Sequence, residues 1–353
     1  MGELTRRELL AYATAVGATT LLGWPRLNGH LRPGLADVLA AAPELKELTA
    51  WGVIDAQISS QQIIADKRSI FKRQGLTVKN RLVQAGPDIG PLIAGGSAPV
   101  SFETNITVII VQASGVPAII VAPLANIAGT QAVVGRKGLK LKSARDLEGK
   151  RIGMIRGAGV LIAIRSMAKE LGVDINKIKF INMAPADQVA ALSRGDIDAM
   201  AAWEPWVTKG IAAGGVFLFS GKRATLPEKN GRVDWMDFHT TIQVTRNFLQ
   251  KNPETIKRML RALKTATDFV NEHRSEAINL LSPVLHLNKA ELRDMMNRNT
   301  YSMVVDNSFV NGSATITSFM RELKNISKSP NIKDYTDFSL LAEVSPSLVK
   351  VKI

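Results

Sequence analysis

The fold is indicated most directly by residues 192–206, which read LSRGDIDAMAAWEPW. Gly195 is suited to the left-handed conformation that ends a helix, and the alternating apolar residues after it predict a short buried strand. Pro205 cannot donate a ladder hydrogen bond, so the strand ends there. Because ligands of open α/β sheets bind at the carboxyl ends of strands, Trp203 and Glu204 are candidate binding residues. The alternative is a buried tryptophan beside a surface glutamate, with no role in binding.

Length and charge restrict the class of protein. A chain of 353 residues exceeds one ordinary core and predicts two lobes. The 45 Lys and Arg against 31 Asp and Glu give a net charge of +14, which suits nucleic acid, an anionic lipid surface or an anionic substrate. The basic residues are scattered and not interleaved with aromatics, which is typical of solvated faces. No nucleic-acid partner is therefore expected.

Chemistry-bearing residues are scarce. The chain has no cysteine, hence no disulfide, thiolate nucleophile or cysteine metal site. Its histidines lack ligand spacing, which predicts no metal, no cofactor and no enzyme. They are His30, His239, His273 and His286.

The first residues predict export. Arg6 and Arg7 precede a weakly apolar stretch, residues 11–23, that is too short and polar to span a bilayer. Paired arginines before such a segment resemble a twin-arginine export signal, assigned here to residues 1–42. The alternative is an amphipathic first helix. No later stretch has about 18 uninterrupted apolar residues, so the mature protein is expected to be soluble.

Periodicity predicts two α/β lobes. Lobe 1 comprises residues 43–132 and 241–353, and begins with a β-α-β-α-β unit with parallel pairing. Lobe 2 comprises residues 133–240 and repeats this plan. A long helix beginning at Asn252 and Pro253 carries the chain back over lobe 1. Residues 221–237 show no regular pattern, which predicts a long loop to which the sequence assigns no role. The predicted strands are 48–53, 76–84, 100–102, 118–122, 151–155, 179–182, 197–202, 216–219 and 240–245, and the main helices before the long one are 59–75, 105–114, 160–171 and 185–193.

These motifs resemble the periplasmic substrate-binding proteins of ABC importers for sulfonates, taurine, nitrate and thiamine-precursor pyrimidines. The resemblance runs from about Leu48 to Phe319. It rests on Ala65, Phe71, Gln74 and Gly75; on Ser143, Asp146, Leu147, Gly149 and Lys150; on Gly195, Asp196, Asp198 and Ala199; on Trp203 to Pro205; and on Asn252, Pro253 and Glu254.

The resemblance implies a type II periplasmic-binding-protein fold: two α/β lobes, each a mixed sheet flanked by helices, with a ligand cleft between them. It also implies a periplasmic monomer that passes a small molecule to a permease in the inner membrane. The sequence departs from the family at Pro99, where relatives usually carry Asp, and at residues 156–159, where relatives often carry Ser or Thr.

The candidate ligand-binding residues all follow strands. Helix amino ends near Ser59 and Gly159, with the Arg156 guanidinium, favour an anionic head group; the alternative for Arg156 is an exposed ion pair. Asp88 and Asp187 also suit helix capping. Lobe 1 contributes Asp55, Gln57, Gly86, Asp88, Glu103, Thr104 and Asn105, and lobe 2 contributes Arg156, Gly157, Ala158, Gly159, Asp187, Trp203 and Glu204.

Two classes of ligand remain open. A sulfonate-like or carboxylate anion suits the basic residue and helix ends, whereas Glu103 and Glu204 suit an amine or aromatic N–H on a pyrimidine or flavin precursor. A pyrimidine-synthase-like enzyme on the same fold is a further alternative, which would need a reactive histidine or metal-binding thiols in the cleft.

Overall fold

The computed structural model describes residues 41–84 and 86–353, of which residues 42–353 form one compact unit. The predicted export signal, residues 1–42, therefore falls almost wholly outside the described residues. In the described part, no helix is both long and apolar enough to cross a membrane.

The chain alternates strands and helices in three segments. The first segment contains β1 (Glu47–Val53), α1 (Ser60–Lys67), α2 (Ile70–Arg73), β2 (Thr77–Val83), α3 (Ile89–Ala94), β3 (Val100–Thr104), α4 (Asn105–Ala113) and β4 (Ala118–Asn126). The second contains β5 (Gln131–Gly135), β6 (Arg151–Met154), α5 (Val160–Leu171), β7 (Lys179–Asn182), α6 (Pro185–Arg194), β8 (Ala199–Trp203), α7 (Trp206–Ala212), β9 (Val216–Ser220), β10 (Arg223–Leu226) and β11 (Lys229–Arg232). The third contains β12 (His239–Thr245), α8 (Arg246–Lys251), α9 (Pro253–Glu272), α10 (Arg274–Leu285), α11 (Lys289–Asn297), β13 (Thr300–Tyr301), α12 (Asn307–Glu322), α13 (Ile332–Tyr335) and α14 (Ser339–Val344).

The strands form two mixed sheets. The six-stranded sheet has the order β13-β4-β12-β3-β1-β2, and the seven-stranded sheet has the order β11-β10-β9-β5-β8-β6-β7. We call the part of the chain built on the first sheet lobe 1 and the part built on the second lobe 2. The predicted two-lobed α/β fold with mixed sheets is confirmed. The expectation of parallel pairing throughout the first unit is wrong for β4, because the returning strand β12 inserts between β3 and β4 and pairs antiparallel with both.

The chain passes between the sheets twice, through residues 126–131 and 232–239. The two crossings are bonded to each other, since the Ile127 backbone N–H donates to the Phe238 carbonyl at 2.7 Å. The Asn126 side-chain amide also donates to Asp237 at 2.7 Å. These bonds join the two crossings into one two-stranded connection between the lobes, which we call the hinge.

Helix α9 closes lobe 1 as its periodicity predicts. One face carries a row of buried apolar residues that packs against α1 and α14, and each such side chain contributes roughly 1.5 to 3 kcal/mol when fully buried. The row consists of Ile256, Met259, Leu260, Leu263, Phe269 and Val270.

Two local predictions are wrong. The single helix expected over residues 59–75 is broken, because Ser69 adopts a left-handed conformation (φ 53°) between α1 and α2. The loop expected over residues 221–237 contains the hairpin β10–β11, which extends the lobe 2 sheet. Both strands are only four residues long. The alternation of polar and apolar residues over 223–226, which matches the alternating burial of β10, is the sequence signal that could have revealed the hairpin.

Candidate ligand-binding cleft

A cavity of about 1210 Å³ lies between the two lobes. Its walls come from the segments that follow β1, β2 and β3 in lobe 1 and β6, β7 and β8 in lobe 2. The carboxyl ends of the two sheets therefore meet at this cavity, as expected for a ligand site in an α/β protein. Small-molecule pockets usually measure about 300 to 1000 Å³, so the cavity has room for an organic solute with a sizeable body.

The structure brings most of the candidate residues together on this cavity. Those on its walls are Asp55, Gln57, Gly86, Glu103, Thr104, Arg156, Gly157, Ala158, Gly159 and Trp203. Four candidates are not part of the walls. Asp88 and Asp187 are exposed, at the start of α3 and in the first turn of α6. Asn105 is buried and donates to the Ser313 hydroxyl at 3.0 Å, and Glu204 is buried between the lobes.

Glu103 is a buried acid on the lobe 1 wall. It lies near the carboxyl end of β3, which runs two residues beyond the predicted end at Phe102, and its side chain is 4% exposed. One oxygen, Oε1, accepts from the Thr104 hydroxyl at 3.0 Å, whereas Oε2 has no hydrogen-bond partner among residues 41–84 and 86–353. Burial raises the pKa of Glu103 to about 7, partly offset by hydrogen bonding to Thr104. Glu103 is therefore a residue of the cavity wall with one buried, unpaired carboxyl oxygen.

Asp55 and Gln57 serve the connection between the lobes. Burial raises the pKa of Asp55 to about 6, and its oxygens accept from the backbone and side-chain amides of Gln57. The Gln57 amide also donates to the Glu204 carbonyl at 3.1 Å, and its oxygen accepts from Thr130 and Gln131. Gln57 thus uses its hydrogen-bonding groups to hold lobe 1 against β5 and the end of β8.

Trp203 and Glu204 have different environments although they are adjacent. Trp203 ends β8, is half-buried and forms part of the cavity wall. The Glu204 carboxylate is 1% exposed and accepts from the Thr208 backbone N–H at 3.0 Å. Its other oxygen pairs with Arg298. Glu204 therefore supports the start of α7 and the contact between lobes, and Trp203 offers an aromatic face to the cavity.

The lobe 2 wall carries positive charge. Arg156 is exposed on this wall, and its backbone N–H donates to the Asn182 side chain at 2.9 Å. The turn leads into the twelve-residue helix α5, whose amino end begins at Gly159. A Cβ on Gly159 would lie 3.0 Å from the Phe238 ring, so glycine allows the helix end to approach the hinge. Free N–H groups and the helix dipole favour an anion here.

Several wall residues were not predicted from the sequence. Trp206 and Lys209 lie on α7, with the Lys209 ammonium 4.4 Å from the centre of the Trp206 ring. Their position directly after the tryptophan–glutamate–proline stretch could have indicated them. Others come from distant parts of the chain, and no local pattern points to them: Phe238, Leu285, His286, Leu287, Met320 and Asn325.

Fold and cleft together define a two-lobed solute-binding architecture, the type II periplasmic-binding-protein fold. A profile of the NMT1/THI5-like family matches residues 59–277. The chain belongs to this family.

Relatives of the chain include binding proteins and an enzyme. A Bacillus subtilis protein assigned to the binding of aliphatic sulfonates is 22% identical over 269 residues, 76% of this chain and 78% of that protein. The 4-amino-5-hydroxymethyl-2-methylpyrimidine phosphate synthase of Aspergillus parasiticus is 24% identical over 272 residues, 75% of this chain and 74% of the enzyme.

Solved structures share the fold. The periplasmic aliphatic sulphonate binding protein of Escherichia coli superposes with a TM-score of 0.69 and 17% identity, covering 82% of this chain and 91% of that protein. The alkanesulfonate-binding protein of Xanthomonas axonopodis bound to MOPS gives a TM-score of 0.68 and 16% identity, covering 84% and 99%. At these identities the similarity establishes the architecture.

Proposed function

We propose that this protein is the solute-binding component of an ABC importer and captures a small organic anion, sulfonate-like or carboxylate, between its two lobes. The observation that carries the proposal is the cavity formed by the strand ends of both sheets. A ligand that contacts both lobes stabilises the closed arrangement over an open one. The loaded protein then delivers the solute to a permease in the inner membrane.

The lobe 2 wall supports an anionic head group. Arg156, Lys209 and the amino end of α5 are the positive features of this wall, and a guanidinium can bind a sulfonate or carboxylate with two hydrogen bonds. The sulfonate-binding relatives point to the same class. The MOPS complex of a protein with this fold supports a solute that joins a sulfonate to a bulky body.

A second candidate is a nitrogenous aromatic solute, such as a pyrimidine or flavin precursor. The unused oxygen of Glu103 favours it, together with the aromatic rings of Trp203, Trp206 and Phe238 on the cavity walls. The pyrimidine phosphate synthase among the relatives makes a synthase the corresponding enzymatic alternative. His286 lies on the cavity wall, which meets one of the two requirements of such a synthase, whereas the chain has no cysteine for metal-binding thiols. We favour binding because the relatives include several binding proteins.

The proposal also covers export and the extent of each lobe. We assign residues 1–42 to a twin-arginine-like signal that directs the protein to the periplasm, where we expect a monomer. We assign residues 43–132 and 241–353 to lobe 1 and residues 133–240 to lobe 2.

A melting screen tests the proposed function. Alkanesulfonates, taurine, nitrate, aromatic carboxylates, pyrimidines and flavins are each added to the purified protein. A ligand that binds the folded form selectively raises the melting temperature, and titration calorimetry then gives its affinity. A shift with a sulfonate or carboxylate supports the proposal. Shifts confined to pyrimidines or flavins favour the second candidate, and turnover of an added compound would contradict a pure binding role.

A further inference from the structure

The unused acceptor on Glu103 is costly to the protein. A buried carboxylate oxygen without a hydrogen bond loses its hydration without replacement, and such groups are uncommon in folded proteins. Glu103 is 4% exposed, lies on the cavity wall, and has Oε2 unpartnered within the described part of the chain. A ligand that donates a hydrogen bond to this oxygen would remove the cost.

Gly86 makes room for this carboxyl group. A Cβ at position 86 would stand 2.7 Å from Glu103 Oε1 and 2.8 Å from Oε2, closer than real Cβ atoms approach. The backbone of Gly86 is not in the left-handed region that requires glycine. A side chain at position 86 would therefore displace the Glu103 carboxyl group from its present position beside the cavity.

The other acid of the lobe 1 wall is already engaged. Both oxygens of Asp55 accept from Gln57, so Asp55 holds the turn after β1. Its negative charge disfavours a second ionised group nearby and raises the pKa of Glu103 further. Of these two acids, Glu103 is thus the one with an unpaired carboxyl oxygen. A cationic group beside it would relieve the electrostatic repulsion between Glu103 and Asp55.

We propose that Glu103 determines specificity by accepting a hydrogen bond from an N–H group of the solute, and that the solute class is amino-bearing organic anions. The inference rests on the proposed function, since the anionic end is assigned to Arg156 and Lys209 on the opposite wall. The amino end meets lobe 1 and the anionic end meets lobe 2, so both lobes contact such a solute. Hydrogen bonds with an ionised partner are stronger than neutral ones, which favours an ammonium over a hydroxyl.

Matched sulfonates test this assignment by calorimetry. One series is 2-aminoethanesulfonate, 2-hydroxyethanesulfonate and propane-1-sulfonate, and the other is the 4-amino-, 4-hydroxy- and 4-methylbenzenesulfonates. In at least one series, the wild type is expected to bind the amino compound about tenfold or more tightly than the methyl compound, with the hydroxyl compound between them. Glu103→Gln keeps the size of the side chain and is expected to lose most of this preference.

Control variants and outcomes separate the two proposals. Glu272→Gln changes an exposed glutamate at the end of α9 and is expected to keep the preference, and melting curves verify that each variant is folded. Equal binding of amino, hydroxyl and methyl compounds, or an unchanged preference in Glu103→Gln, would overturn the role of Glu103 while leaving anion capture intact. Failure of all six compounds to bind would overturn the role of Glu103, and anion capture would fall with it if no sulfonate or carboxylate shifted the melting temperature in the screen.

Discussion

Arg298 of lobe 1 forms an ion pair with the buried carboxylate of Glu204 in lobe 2. The Arg298 side chain is 24% exposed, and its guanidinium also contacts Asp294 at 2.8 Å. Glu204 follows the strand that ends at Trp203, so the pair lies beside the cleft and links the lobes close to the ligand site. A second pair, between Arg165 of α5 and Glu322 of α12, joins the lobes at the surface.

Removal of Arg298 should destabilise the protein. Arg298→Ala leaves the Glu204 carboxylate buried without its cation, and we expect a loss of about 2 kcal/mol or more in the free energy of unfolding, measured by urea denaturation. Arg293→Ala changes an exposed arginine of α11, the helix that Arg298 directly follows; it is the control and should change little. A double variant with Glu204→Gln should recover part of the loss. Equal stability of Arg298→Ala and Arg293→Ala would show that the pair does not hold the lobes.

Trp203→Ala should weaken solute binding with little loss of fold. Trp203 is half-buried on the cavity wall, and truncation of such an aromatic anchor typically costs roughly 1 to 3 kcal/mol of binding free energy. Calorimetry with the best solute of the screen measures the change. Trp51→Ala removes a half-buried tryptophan of β1 that is not among the cavity-wall residues, and its affinity should stay near that of the wild type. Unchanged affinity in Trp203→Ala would remove this residue from the site.

Arg156→Ala should reduce affinity for anions in particular. The guanidinium is exposed, so we expect a modest loss of about threefold to tenfold for a sulfonate, diminishing at high salt. Calorimetry at two salt concentrations tests the charge dependence. Arg223→Ala, an exposed arginine of β10, is the matched control in lobe 2. A loss in Arg156→Ala that is independent of salt would argue against a direct role for its charge.

The buried acid should make stability depend on pH. The pKa of Glu103 rises from 4.5 to about 7 in the folded protein, so the folded form holds a proton that the unfolded chain releases as the pH increases. Stability is thereby lost between about pH 4.5 and 7. Glu103→Gln should raise the free energy of unfolding at pH 8 by at most about 3 kcal/mol, with a gain near zero at pH 4.5.

Urea denaturation across this range checks the expectation for Glu103. Glu272→Gln, with its exposed side chain, should show no such trend. The other ionisable residues of the cavity wall are Asp55, Arg156, Lys209 and His286. Asp55 should add a smaller loss of stability with increasing pH, because its own pKa is raised to about 6. A gain that is the same at pH 4.5 and pH 8 would contradict the raised pKa.

Export should depend on the paired arginines. Residues 1–42 fused to a folded reporter should direct it to the periplasm, and the double substitution Arg6→Lys with Arg7→Lys should retain most of it in the cytoplasm. Cell fractionation measures the distribution. Arg26→Lys, a later arginine of the same segment, serves as control. Export that persists in the double variant would contradict a twin-arginine signal.

The sequence by itself determined most of the alternation of strands and helices and the main cleft-forming segments, but not strand β5, the hairpin β10–β11 or the short strand β13. Helix α5 and strand β7 have their predicted bounds, and the apolar face of α9 is buried as its period requires. Helix periodicity, strand alternation and glycine caps are local properties, readable within about a dozen residues. The same local signals placed Glu103, Arg156 and Trp203 near the carboxyl ends of strands, where both sheets converge on the cavity, although β3 and β8 extend far enough to include Glu103 and Trp203.

Only the tertiary structure decided what these residues contact. Glu204 and Trp203 are adjacent in the chain, but the partner of Glu204 is Arg298, 94 residues away, and this pairing separates their roles. Gln57 is occupied by groups of lobe 2, whereas Glu103 keeps one buried, unpaired oxygen. Hydrogen bonding and desolvation depend on which atoms packing brings within about 3 Å, and contacts between distant segments leave no periodic trace in the sequence.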